Sequence, residues 1–246
     1  MISRKKKNPA SFRLMTYNIH GGIGTDRKLD LSRIAAVIEG SQAEIVCLQE
    51  VDVNRGRSAF TDQANEIARH IGMDAHFHPA LDIAGEKYGD AILTSRRSRL
   101  VKAGPLPSTG EQRGALWVEI AMDQRRINVI TTHLGLRGGE RNRQAAALMG
   151  SDWLGHPRRD DQAFILAGDL NAVSRSASYR DLRRMLDDPA AKIARPTFPS
   201  RFPILRIDHI LISRHLEASV VETLLSPLSR LASDHLPLVA DLAFRD

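Results

Sequence analysis

A chain of 246 residues with 42% hydrophobic and 26% charged residues has ordinary globular composition and is long enough to bury one sizeable core. A single cysteine, Cys47, excludes an internal disulfide framework, and no run of about 18 apolar residues reads as an integral membrane segment. The formal net charge of +6 suits a phosphate-bearing or polyanionic partner without demanding one.

Residues 1–10 hold the cluster Arg4, Lys5, Lys6 and Lys7 and read as a disordered basic tail; residues 11–246 read as one catalytic domain. No apolar stretch follows the basic cluster, so a cytoplasmic protein is expected, with peripheral membrane contact as the nearest approach to a bilayer. Residues 12–18 predict a strand ending at Asn18 and His20, and Gly21, Gly22 and Gly24 mark the loop behind it. Asp30 predicts the N-cap of a helix with Leu31, Ile34, Ala35 and Ile38 inward and Gly40 as its stop. Residues 44–48 are apolar on both faces, the mark of a central strand, and end at Gln49 and Glu50. Thr61 predicts the cap of a second helix, with Ala64, Ile67, Ala68 and Ile71 inward. Short β-prone runs follow at 74–78, 89–95, 99–103, 114–122 and 126–133, and strands without crossovers imply antiparallel pairing. Helix returns at 140–154, then a strand at 163–168, a helix at 177–187, and strands at 206–213, 218–225 and 236–244.

The two halves echo one another, each with a strand, a polar terminus, a helix and further strands, and with Asn18 and Asn171 at comparable points. The echo predicts an α/β fold in which two sheets pack face to face with helices on the outer faces.

Polar groups gather at the ends of these apolar runs. Gly168-Asp169-Leu170-Asn171 closes one, and alternation along a strand projects Asp169 and Asn171 together. Thr16-Tyr17-Asn18, Leu48-Gln49-Glu50, Tyr88-Gly89-Asp90-Ala91-Ile92-Leu93, Thr132-His133, Ile207-Asp208-His209 and Ser233-Asp234-His235 sit in similar contexts. A buried carboxylate costs several kcal/mol unless it is paired or bound to a cation, so packing alone does not explain the set. Metal-assisted phosphoester hydrolysis does. Glu50, helped by Asn18, suits a hard cation. His235 beside Asp208 suits a general base, and Asp169 suits orienting the attacking water. Asn171 and His133 suit charge growing on phosphoryl oxygens.

These seven stretches, in this order between residues 13 and 239, resemble the endonuclease/exonuclease/phosphatase (DNase I-like) superfamily, and within it the small bacterial-type metal-dependent hydrolases. The resemblance implies a four-layer α/β/β/α sandwich of two mixed β-sheets and a requirement for Mg²⁺ or Mn²⁺. It casts Glu50, Asn18 and Asp234 as the metal set, and His133, Asp169, Asn171, Asp208 and His235 as the catalytic set. Tyr88 and Arg113 are implied to meet the substrate.

Two positions depart from the family's pattern. His20 stands where abasic-site endonucleases carry an aspartate, and Asp90 where many members carry an asparagine. The expected activity is that of a monomeric phosphodiesterase acting on a phosphate ester by direct attack of water. A DNA or RNA nuclease and a phospholipid or inositol-phosphate headgroup hydrolase are the enzymatic alternatives. A phospholigand-binding module on the same fold is the non-enzymatic one.

Overall fold

A computed structural model describes residues 11–192 and 195–245; the basic cluster Arg4 to Lys7 lies outside them. Eleven strands form two sheets. The first contains β1 (Ser11–Asn18), β2 (Ile45–Val53), β3 (Asp74–Ile83), β4 (Glu86–Thr94), β10 (Leu216–Thr223) and β11 (Leu238–Phe244), in the order β10-β11-β1-β2-β4-β3. The second runs β5 (Ser98–Leu106), β6 (Arg113–Met122), β7 (Arg125–His133), β8 (Ala163–Asp169) and β9 (Asp208–Ile212) in chain order.

Each sheet is antiparallel except at one central pair, β1 with β2 and β7 with β8. A parallel pair needs a crossover. Helix α1 (Leu31–Ser41) supplies the first and α3 (Gly138–Met149) the second. The echo between the halves is therefore one βαβ unit at the centre of each sheet.

Alternation along the strands sorts the apolar residues into three layers. Leu14, Ile45 and Cys47 from one sheet meet Val118, Val129 and Ile165 from the other in the core between the sheets. The opposite face of the first sheet, with Met15, Val46 and Leu48, receives Ile34 and Ile38 of α1 and Ile67 of α2 (Gln63–His70). The outer face of the second sheet, with Ile130, Phe164 and Leu166, receives Leu148 of α3 and Leu182 of α4 (Ala177–Leu182). The result is the α/β/β/α sandwich. Among the described residues no helix is long and apolar enough to cross a membrane.

The helices differ from expectation in five places. Helix α1 runs through Gly40 and ends at Gln42, whose φ of 58° makes the left-handed stop. The cap of α2 is Asp62, accepting from the Asn65 amide, rather than Thr61. Helix α3 stops at Met149; Trp153 is buried from the turn beyond it. Helix α4 stops at Leu182, and Leu186 packs from a turn. A short helix, α5 (Pro227–Ala232), opens with a Ser226–Ser229 capping box that sequence periodicity over six residues is too brief to announce.

Strand β2 also continues past Glu50 to Val53. Its register against β4 shifts between Leu48 and Val51, and Glu50 takes a φ of 59°. This bulge frees Glu50 from the strand's alternation and aims it at the sandwich edge.

Two glycines test the packing in opposite senses. A Cβ on Gly168 would lie 2.0 Å from the Thr132 carbonyl oxygen, while one on Gly40 meets nothing within 4 Å. Urea unfolding is expected to show Gly168→Ala destabilised by at least about 2 kcal/mol and Gly40→Ala, inside an α-helix, stabilised by about 0.5–1 kcal/mol.

Candidate active site

The ends of β1, β2, β7, β8 and β9 and the loop entering β11 meet at one edge of the sandwich. Asn18 ends β1 in the first sheet, and Asp169 ends β8 in the second. The Asn18 Nδ2 donates to Asp169 Oδ2 at 3.1 Å and to Glu50 Oε1 at 2.9 Å. The Asn18 Oδ1 accepts from the His20 amide at 3.0 Å, so its donor side faces the carboxylates. An N–H donor is no metal ligand. In this arrangement the Asn18 amide nitrogen holds Glu50 and Asp169, and its oxygen is taken by the His20 amide.

Asp169 is the hub. Its Oδ1 accepts from the Asn171 amide at 2.8 Å. Its Oδ2 lies 3.4 Å from His133 Nε2 and 3.6 Å from His235 Nε2. Asn171, at a φ of 46°, donates Nδ2 to the Leu134 carbonyl at 2.9 Å, and the same nitrogen lies 3.0 Å from His133 Nε2. On the far side His235 Nδ1 donates to Asp208 Oδ2 at 2.9 Å. The last loop is tied to β1 by Ser233, whose hydroxyl donates to the Asn18 carbonyl at 2.8 Å.

The two histidines are alike in burial and opposite in charge. Burial and the positive charge of Arg113 hold His133 well below the usual imidazole range. Arg113 Nη1 lies 2.9 Å from His133 Nδ1. Guanidinium only donates, so Nδ1 accepts and the neutral ring carries its proton on Nε2, toward Asp169. For His235, burial favours the neutral ring, but the charge of and hydrogen bond to Asp208, with Asp169 and Asp234 behind them, outweigh it and push the pKa up to about 10. His235 is an imidazolium at neutral pH. Burial, and then the charge of Asp208, push the Asp169 carboxyl up.

Tyr88 and Arg113 both reach this edge. Arg113 is buried and also pairs with Glu111 at 3.0 Å. Tyr88 is buried beneath the guanidiniums of Arg55 and Arg57, 5.5 and 5.4 Å from its ring centre. Asp234 is partly open, its side chain 38% exposed.

Three further residues belong to the cluster. His20, read from sequence as structural or surface, lies with Nδ1 3.7 Å from Glu50 Oε2 and 3.5 Å from Asp234 Oδ1. Its side chain is 45% exposed, and its backbone is left-handed at a φ of 49°. Asp90 is buried, its Oδ1 has no hydrogen-bond partner among the described residues, and burial pushes its pKa up to about 8 despite Arg113. At neutral pH it is largely a neutral acid and does not repel a phosphate. Phe198 covers the His235 ring at 4.8 Å; nothing in its proline-rich surroundings signalled this. His209, expected to face away from Asp208, does so: its Nε2 bonds the Ala172 carbonyl at 2.7 Å.

Residues 15–235 match the Endonuclease/Exonuclease/phosphatase family. The chain is 29% identical over 247 residues to the protein YbhP of Escherichia coli K12, covering 94% of this chain and 96% of that one. An endonuclease/exonuclease/phosphatase from Beutenbergia cavernae superposes with a TM-score of 0.79 at 22% identity, covering 96% of this chain and 72% of that one. A mannosyl-6-phosphatase of Bacteroides thetaiotaomicron gives 0.76 at 21% identity, covering 95% and 100%. The catalytic domain of human Nocturnin, with bound sulfate, gives 0.72 at 22%, covering 97% and 96%. These structures share the two-sheet sandwich, and the match over residues 15–235 fixes the lineage: the chain belongs to the Endonuclease/Exonuclease/phosphatase family.

Proposed function

We propose that the protein is a divalent-metal-dependent phosphodiesterase that cleaves by direct attack of water. One observation carries the reading: Asp169, from one sheet, is gripped by Asn18 from the other and lies between a neutral and a charged histidine.

The carboxylate set fits a hard cation. Carboxylate oxygens of Asp169 and Asp208 lie within 4.8 Å of one another and of the His235 ring, whose charge leaves the carboxylates as the ligands on offer. Asp208 Oδ1 and Asp90 Oδ1 are buried without a hydrogen-bond partner among the described residues. Carboxylate oxygens dominate the cluster, which favours Mg²⁺ or Mn²⁺ over softer metals. Glu50 and Asp234 would hold the ion, with Asp169 at its border. Bound there, a divalent cation supplies positive charge to the phosphoryl and leaving oxygens.

The remaining roles follow from protonation. Asp169, raised toward neutrality, accepts a proton from water and orients it. His235 is charged, so it serves as a donor to a phosphoryl oxygen rather than as a base, and Asp208 keeps it so. The His133 Nε2–H and the Asn171 amide complete the set of donors facing the phosphate. Arg113 positions His133 through Nδ1.

The mouth has an apolar rim. Leu136 is 74% exposed, two residues beyond the Leu134 carbonyl that holds Asn171; Phe202 and Ile204 are 80% and 74% exposed on the loop that carries Phe198. Such a rim suits a phosphodiester whose alcohol groups are apolar or aromatic.

With bis-p-nitrophenyl phosphate and Mn²⁺, turnover is expected to vanish with EDTA. Glu50→Ala and His235→Ala are each expected to lower kcat by about 100-fold or more. Turnover indifferent to the chelator, or to both substitutions, overturns the reading.

Stability should carry the same signature. The folded His235, with a pKa near 10 against 6.5, gives stability that is present below pH 6.5 and lost as pH rises toward 10. Asp90, near 8 against 3.8, and Asp169 in the same direction, keep protons in the folded state that the unfolded chain has released. All three signs agree. The metal-free protein is expected to lose about 5 °C or more of Tm between pH 6 and pH 9, and Mn²⁺ is expected to restore part of the loss, read by differential scanning calorimetry.

A further inference from the structure

The opposite end of the sandwich carries a second surface. Strand β7 runs from Arg125 to His133, so its start lies roughly 27 Å from the catalytic edge. Three cavities open at that far end. One, of about 500 Å³, is lined by Arg97, Arg99, Arg125 and Arg126. A second, of about 420 Å³, shares Arg125 and Arg126 with it and adds His215 and Arg245. A third, of about 190 Å³, is lined by Arg159, Arg183, Arg184 and Arg214. Arg214 and His215 both bond the Asp160 carbonyl, at 3.2 and 3.1 Å, which joins the third cavity to the second.

Nine arginines, five carboxylates and no lysine line these cavities. The local excess of four positive charges is most of the chain's net +6. Pairing does not use it up. Glu119 already serves Arg99, Arg126 and Arg158. Among the described residues Arg97, Arg125, Arg159, Arg214 and Arg245 form no ion pair with a carboxylate. Arg125, Arg159, Arg214 and Arg245 instead donate to backbone carbonyls. Asp123, Asp160 and Asp161 in the same cavities also lack an ion pair among the described residues, so five unpaired guanidiniums face three unpaired carboxylates and a positive surplus remains.

We propose that this end is a second binding surface, separate from the catalytic edge, that takes the sugar-phosphate backbone of a nucleic acid. Guanidinium forks match phosphate oxygens in pairs, and a row of recesses matches a row of phosphates. A bilayer is the poorer occupant. The exposed apolar residues of the catalytic rim lie at the other end, so a membrane held here would face away from the mouth, and these recesses are concave where a bilayer is flat. The proposal does not rest on the phosphodiesterase reading: a chain bound here tethers the protein whatever its edge hydrolyses.

The test is fluorescence anisotropy in EDTA with a labelled 20-mer as single-stranded DNA, duplex DNA and RNA, beside vesicles of phosphatidylcholine with phosphatidylglycerol. The variant Arg97→Gln/Arg125→Gln/Arg214→Gln removes one unpaired guanidinium from each part of the band. The wild-type protein is expected to bind at least one oligonucleotide with a steep salt dependence. The triple variant is expected to bind about tenfold more weakly with a log–log salt slope shallower by about 2 to 3, at unchanged Tm and unchanged hydrolysis of bis-p-nitrophenyl phosphate. Arg97→Gln alone, at an exposed site with no carboxylate partner, gives a partial loss and guards against a folding defect. Failure to bind any oligonucleotide, binding unchanged in the triple variant, capture by vesicles alone, or loss of binding on removing residues 1–10 with the arginines intact each overturns the proposal.

Discussion

The hydrogen bond from Asn18 to Asp169 is the constraint from which the catalytic edge follows. It joins the terminus of a strand in one sheet to the terminus of a strand in the other. Asp169 is almost wholly buried, and a carboxylate at that depth costs several kcal/mol unless donors surround it. The donors come from both sheets, the Asn18 side-chain amide and the Asn171 backbone amide, and the imidazoles of His133 and His235 stand 3.4 and 3.6 Å away. The sandwich must therefore close in one register for Asp169 to be satisfied. The apolar layer between the sheets supplies the drive to close, and the polar cluster selects how.

Charge in the site is sorted by neighbours rather than by residue type. His133 faces a guanidinium and stays neutral; His235 faces a carboxylate and stays charged. Burial raises the Asp90 carboxyl, whose Oδ1 has no hydrogen-bond partner among the described residues. The same sorting operates across the whole molecule. The buried carboxylates Asp90, Asp169 and Asp208 lie at one edge of the sandwich, and an excess of arginines over carboxylates lies at the other.

Much of this was legible in the sequence, and the exceptions have physical causes. The strands were found because apolar runs punctuated by glycine or polar residues have few other uses. The central position of β2 followed from its lack of a polar face, and both faces are indeed covered. Helix ends were misread where tertiary packing, not periodicity, buries the last apolar residue, as with Trp153 and Leu186. The approach of His20 to Glu50 and Asp234 was hidden because those residues lie far from it in the chain. The donor face of Asn18 was hidden because an amide offers both chemistries, and only the His20 amide on its oxygen decides between them.

The sequence by itself determined the family, the layered fold and the residue types gathered at strand ends, because periodicity and order along the chain are local properties. The tertiary structure alone decided which of these groups are donors and which acceptors, which histidine holds a charge, and that arginines spread from residue 97 to residue 245 form one band. Protonation and charge clustering depend on distances through space between residues far apart in the chain, and no spacing in the sequence encodes those distances.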